Sequence, residues 1–118
     1  MVTLEHVVDA VLAGDSLAVR SLVQDFLASH PILTTVPRPS LADGQPMAVA
    51  AALTELFSER RRQAPPTWTR TVGPAPEALY LVRSAITMPR LRQLCEDAGP
   101  EPLRRRRLYA PPDYLVFA

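Results

Sequence analysis

The sequence predicts an all-α fold of about five to seven short helices joined by proline-rich corners. Two observations carry that prediction. Apolar side chains recur at helical spacing in successive stretches, and the thirteen prolines fall mainly between those stretches. Length sets the scale: 118 residues, 47% apolar and 21% charged, supply one core and enough apolar surface to offset chain entropy. The expectation is one compact helical domain over residues 1–118, with a radius of gyration of about 13 to 14 Å. It divides into a helical pair (1–29), a proline-rich loop (30–44) and a helical region (45–118).

Leu4, Val7, Val8, Val11 and Leu12 form the stripe of an amphipathic helix over 3–14, with Thr3 placed to cap it and Gly14 to end it. Asp15 and Ser16 restart a helix over 15–29 whose inward positions are Leu17, Val19, Leu22, Val23, Phe26 and Leu27. The short connection predicts an antiparallel or sharply angled pair. Pro31, Pro37 and Pro39 bias the next stretch towards loop. Pro46 then sits in the first turn of a helix over 45–62, with Val49, Ala50, Leu53, Leu56 and Phe57 inward and small alanines permitting close approach of a neighbour. Pro65-Pro66 stops it, and Trp68 reads as a core plug.

Leu79-Tyr80-Leu81-Val82 is too short to assign by period: a strand fits it, but Pro76 with Glu77 and Ala78 also opens a helix, and the stretch is read as helix or turn in preference to strand. Thr87 reads as an N-cap and Pro89 as the first turn of a helix over 87–98 that stops near Gly99. Pro100 to Arg107 repeats the proline-started pattern, and Pro111-Pro112-Asp113 opens a last turn carrying Tyr114, Leu115, Val116 and Phe117. The core drawn from these patterns is Leu4, Val8, Val11, Leu22, Phe26, Leu53, Leu56, Phe57, Trp68, Leu91, Leu94 and Tyr114.

Charge is distributed unevenly. Residues 1–57 hold two arginines against six acids, a balance of −4, while residues 58–118 hold eleven arginines against six acids, a balance of +5. Such polarity steers a charged partner or draws the two halves together. All basic residues are arginine, a bias that fits GC-rich coding. No apolar run approaches the roughly 18 to 20 residues of a membrane span, Met1 to Leu4 lack the pattern of a secretory signal, and Cys95 is the only cysteine. The expectation is a cytoplasmic protein without disulfides or membrane association.

Catalysis by nucleophile or acid and base needs a histidine or paired carboxylates beside a nucleophile. His6 stands with Glu5 and Asp9 on a polar face and His30 at a helix end, positions that suit solvated residues. Cys95 has no nearby partner for zinc, and no phosphate-cradling or zinc-protease motif occurs. No catalytic, cofactor or metal residues are therefore predicted. The conspicuous features are Arg60-Arg61-Arg62 and Arg104-Arg105-Arg106-Arg107, candidate contacts for a protein partner or a nucleic acid. Against a phosphate-binding patch, Glu59 and Glu101 lie beside these runs, and successive helical residues point in different directions. At least one arginine is expected to pair within the fold, Arg104 or Arg105 with Glu101 or Glu59. A helix-turn-helix over 3–29 would present Asp15, Gln24 and Asp25 with Arg20 the sole base, a surface that repels phosphate.

From Ala48 to Ala118 several motifs stand together: Leu56-Phe57-Ser58-Glu59-Arg60, Pro65-Pro66-Thr67-Trp68-Thr69, Ala78 to Val82, Met88 to Cys95, and Glu101 to Leu115 with its arginine run and terminal aromatic turn. On these the chain resembles the C-terminal domain of bacterial antitoxin-like and regulator-like proteins encoded beside nucleotidyltransferase-type toxins. The resemblance implies a helical, non-enzymatic module without cofactors that acts through a protein partner, such as a neighbouring-gene toxin, or by forming a homo-oligomer. It implies structural roles for Trp68, Glu101 and Tyr114. The alternative expectation is a nucleic-acid-binding regulatory protein acting through its arginine-rich half.

Overall fold

The computed structural model describes residues 2–118. Thr3 opens the first helix with a capping box: its hydroxyl accepts the His6 amide at 3.4 Å, and His6 Nδ1 accepts the Thr3 amide at 3.3 Å. This helix, α1 (Leu4–Ala13), ends at Gly14, which adopts φ 72° and returns its amide to the carbonyls of Ala10 and Val11. Asp15 then caps α2 (Ser16–Ser29) through the Ala18 amide at 3.1 Å. The pair packs through Leu4, Val7, Val8 and Val11 of α1 and Val19, Val23, Phe26 and Leu27 of α2. Leu17, expected inward, is instead 81% exposed. It belongs to the first turn of α2, and the inward stripe begins only at Val19.

The proline-rich stretch is anchored. It contains a 3₁₀ turn at Leu33–Thr35 and buries Leu33, Val36 and Pro39. Gln63 clamps it from the far side, accepting the Leu33 amide at 2.8 Å and donating to the Pro31 carbonyl at 2.9 Å. The central element is α3 (Gln45–Arg60), in which every residue from Met47 to Ser58 is buried. Its alanines let α1 and both 3₁₀ turns come close, and its buried hydroxyls are satisfied internally, Thr54 by the Ala50 carbonyl and Ser58 by the Thr54 carbonyl, each at 2.7 Å.

A second 3₁₀ turn, Thr67–Thr71, carries Trp68, half-buried against the core with its indole N–H on the Val36 carbonyl at 2.8 Å. Of the stretch at 79–82, read as helix or turn in preference to strand, Leu79 and Tyr80 are strand and Leu81 and Val82 bend away from it. β1 (Leu79–Tyr80) lies parallel to β2 (Leu108–Tyr109), with Leu79 opposite Leu108 and Tyr80 opposite Tyr109. The reason is non-local: the amides of Leu79 and Leu81 donate to the carbonyls of Arg107 at 3.0 Å and Tyr109 at 2.9 Å, partners that no local pattern announces.

Three short helices complete the chain: α4 (Ser84–Thr87), α5 (Pro89–Ala98) and α6 (Glu101–Arg104). Two expectations fail here. Met88, not Thr87, holds the N-cap of α5, because Thr87 closes α4. Leu91 and Leu94 are not core: Cys95 is the buried residue of α5, which packs chiefly on α4 at the periphery. Leu22 and Tyr114 are half-buried against the core and not within it. Helices α1, α2, α3 and α6 join in one buried apolar cluster that runs from Leu4 through α3 to Leu115, and the radius of gyration is 13.2 Å. No helix among the described residues is long and apolar enough to cross a membrane.

Candidate functional site

The arginine runs do not form one patch. Arg106 is 6% exposed and its guanidinium grips Glu55, itself 8% exposed on α3. One Arg106 nitrogen binds Glu55 Oε1, while Nη2 reaches Oε2 at 3.2 Å and the Thr69 carbonyl at 2.8 Å. Arg105 adds a second hold on Glu55 at 3.0 Å and faces Glu101 at 4.0 Å. Burial pushes the Glu55 carboxyl up, but hydrogen bonds from Arg106 and Arg105 and the Arg106 charge outweigh it and hold the pKa below its ordinary value.

The remaining basic side chains divide between the fold's own carbonyls and solvent. Arg104 Nε donates to the Gly99 carbonyl at 2.7 Å and Nη1 to that of Asp97 at 3.2 Å, satisfying the end of α5. Arg107 reaches the Pro76 carbonyl at 2.9 Å and Arg60 the Leu115 carbonyl at 2.7 Å. Burial lowers the Arg60 pKa, against the opposing charges of Glu59 and Asp113. Arg61 and Arg62 are exposed and pair with no carboxylate among the described residues. The expected Arg105–Glu101 pair is present, and Glu101 is exposed; the stronger partner, Glu55, is one that the sequence reading did not name. Its signal was available, since Glu55 is the single acid in the apolar run from Met47 to Phe57.

Both histidines belong to helix ends. His6 completes the cap of α1, and His30 stacks on Phe26 with centroids 4.4 Å apart while its Nδ1 lies 2.9 Å from the Phe26 carbonyl. Cys95 is buried, and desolvation raises its pKa. No group of three or more His, Cys, Asp or Glu among the described residues is placed to hold a metal ion.

A different surface stands out. Between the α1–α2 turn and the C-terminal turn lies an apolar cleft of about 350 Å³, lined by Val11, Val19, Leu81, Val82, Tyr114 and Leu115 and edged by Ser16, Arg83 and Ser84. A neighbouring cleft of about 180 Å³ shares Val11, Gly14, Leu81 and Arg83 with it and extends to Leu79 and Ile86. Arg83 is the charged residue that lines both. Its Nη2 donates to the Ala13 carbonyl at 2.7 Å, and its guanidinium lies so close over Gly14 that a Cβ there would meet Nε at 2.5 Å. Burial pushes the Tyr114 phenol up to about 12, so its hydroxyl stays neutral at physiological pH. Ile86, 62% exposed, lines the smaller cleft, and Leu17 and Val116 are exposed at 81% and 71%. Leu17 and Val116 each follow directly on a residue that lines the larger cleft. Periodicity did not find this surface, because it is assembled from segments far apart in the chain.

Comparison with protein-family models, with curated proteins and with solved structures finds no match to this chain.

Proposed function

We propose that the protein is a non-enzymatic interaction module, the antitoxin or regulatory component of a toxin–antitoxin-type pair, and that it engages a protein partner through the apolar surface around the α1–α2 turn. One contrast carries the reading. Arg60 and Arg104 to Arg107 direct their donors to Glu55, Glu101 and backbone carbonyls, whereas Ile86 on the smaller cleft, and Leu17 and Val116 next in sequence to residues that line the larger one, are exposed apolar side chains. Exposed large apolar side chains clustered beside a groove favour association with another protein. The toxin-pair part of the proposal rests on the resemblance of residues 48–118 alone.

The test is capture of the product of the neighbouring gene by the purified protein, with Leu17→Asp and Val116→Asp as variants. Both side chains are exposed, so the variants should fold, and each should weaken capture at least about tenfold if its side chain is a central contact. Unchanged capture by both would remove this surface from the reading. The second reading, a nucleic-acid binder, rests on the unpaired Arg61 and Arg62. A mobility-shift assay at two salt concentrations addresses it: binding that falls steeply with salt and is lost in an Arg61→Ala, Arg62→Ala variant would place it first.

A further inference from the structure

Beyond protein association, we infer that the cleft beneath Arg83 is a binding site for a small aliphatic carboxylate, whose chain lies along Val11, Val19, Leu81 and Leu115 and whose carboxylate takes the Arg83 guanidinium. The geometry supplies each requirement of such a ligand in one place. The cleft, at about 350 Å³, has the size and mainly apolar lining of a small-molecule site. Charge at its edge is of one sign: Arg83 lines both this cleft and its smaller neighbour, and no acid among the described residues lines either one. Two acids adjoin lining residues in sequence, Asp15 beside Gly14 and Ser16 and Asp113 beside Tyr114; Asp15 is occupied at the Ala18 amide, Asp113 lies within the field of Arg60, and neither forms an ion pair with Arg83 among the described residues.

Arg83 is also held in a way that a ligand can change. Among the described residues, the one hydrogen bond that its guanidinium makes runs to a neutral acceptor, the Ala13 carbonyl. It lies over Gly14, where any side chain would displace it. A carboxylate accepts two parallel guanidinium bonds and binds such a cation more strongly than a carbonyl does. Moving from Ala13 to the ligand, Arg83 would swing off Gly14, which lines both clefts, and uncover apolar surface on the side of Leu79 and Ile86. Ser16, Ser84 and the neutral Tyr114 phenol are polar groups in the same lining. An alkyl ammonium would meet Arg83 as a like charge, and an alcohol would forgo the charge-assisted bond, so the site distinguishes the acid from both.

The test is titration of the ¹⁵N-labelled full chain with decanoate below its micellar range, read by two-dimensional amide NMR, with decan-1-ol and decylamine as paired probes. Decanoate should shift the amides of Gly14, Ser16, Arg83 and Ser84, and should bind about tenfold tighter than decanol, the size of one charge-assisted hydrogen bond. Decylamine should bind more weakly than decanol. Hexanoate and octanoate should bind progressively more weakly than decanoate, as apolar burial requires. Arg83→Gln should erase the acid's advantage while leaving decanol binding intact, a loss that misfolding would not confine to the acid. Ser16→Trp, which fills the cleft and leaves Arg83 in place, should abolish binding of both. Equal affinities for decanoate and decanol, decanoate binding unchanged in Arg83→Gln, or shifts spread over the surface without dependence on chain length would each overturn the inference. In the last case the cleft is part of a protein-covered face.

Discussion

Glu55 shows how much one side chain can decide. It stands on the most buried helix of the molecule and is the acid to which two arginines of the C-terminal run converge. Glu55→Gln would leave the Arg106 guanidinium buried without a counter-charge, and removing one member of a buried pair costs about 3–5 kcal/mol. The pH dependence follows from the direction of the shift. The folded pKa is depressed, so its stabilisation is fully present above the unfolded value of about 4.3 and is lost as pH falls through the folded value. Urea denaturation at pH 7 and at pH 3 should show a large loss in the variant at neutral pH and a smaller fall towards acid than in the parent chain. A variant within about 1 kcal/mol of the parent at pH 7 would mean that the pair is solvated. At this scale the sequence was half legible. That arginines turn inward, and that Arg105 meets Glu101, follows from spacing; that Arg106 meets Glu55 depends on a fold contact across 51 positions.

The elements themselves were more legible where local rules govern them. α1 and α2 begin and end where Thr3, Gly14 and Asp15 say they should, because capping depends on three or four neighbouring residues. α3 follows its proline and its apolar run. β1 was illegible because a two-residue strand has no period, and Leu94 was misplaced because an amphipathic spacing does not reveal whether a helix faces the core or its rim. Two glycines at helix ends separate local from non-local demands. Gly14 needs its φ of 72° for the cap, but the atoms over it belong to the flexible end of Arg83. Gly99 has an ordinary φ of −60°, yet a Cβ there would lie 2.5 Å from the carbonyl oxygens of both Ala110 and Cys95. Backbone cannot step aside as a side chain can. Gly14→Ala should therefore cost about 1–2 kcal/mol, the left-handed penalty, and Gly99→Ala about 3 kcal/mol, the upper end for overpacking. Denaturant midpoints of the two variants check the order; a Gly99→Ala variant more stable than Gly14→Ala would show that the backbone at Ala110, just after β2, does not press on the end of α5.

Over the whole molecule, the acidic and basic halves of the sequence meet inside one core. The balance of −4 before residue 58 and +5 after it reads as a capacity for attraction, and part of that attraction is intramolecular: Arg105 and Arg106 from the basic half close on Glu55 from the acidic half. The same C-terminal stretch places Leu108, Ala110 and Leu115 in the core, pairs β2 with β1, and receives Arg60 at the Leu115 carbonyl. The candidate surface depends on it too, since Tyr114 and Leu115 form one wall of the cleft, which is why no single stretch of sequence revealed that surface. A chain ending at Arg104 retains every α-helix by sequence, but it loses both partners of Glu55, three buried apolar residues and the strand that holds Leu79. Local helix signals alone seldom sustain helices of this length in water. The truncated chain should accordingly lose its cooperative thermal transition while keeping part of its helical circular dichroism. A cooperative melt within about 5 °C of the full chain, a difference near 1 kcal/mol, would show instead that residues 105–118 rest on a core that α1, α2 and α3 complete without them.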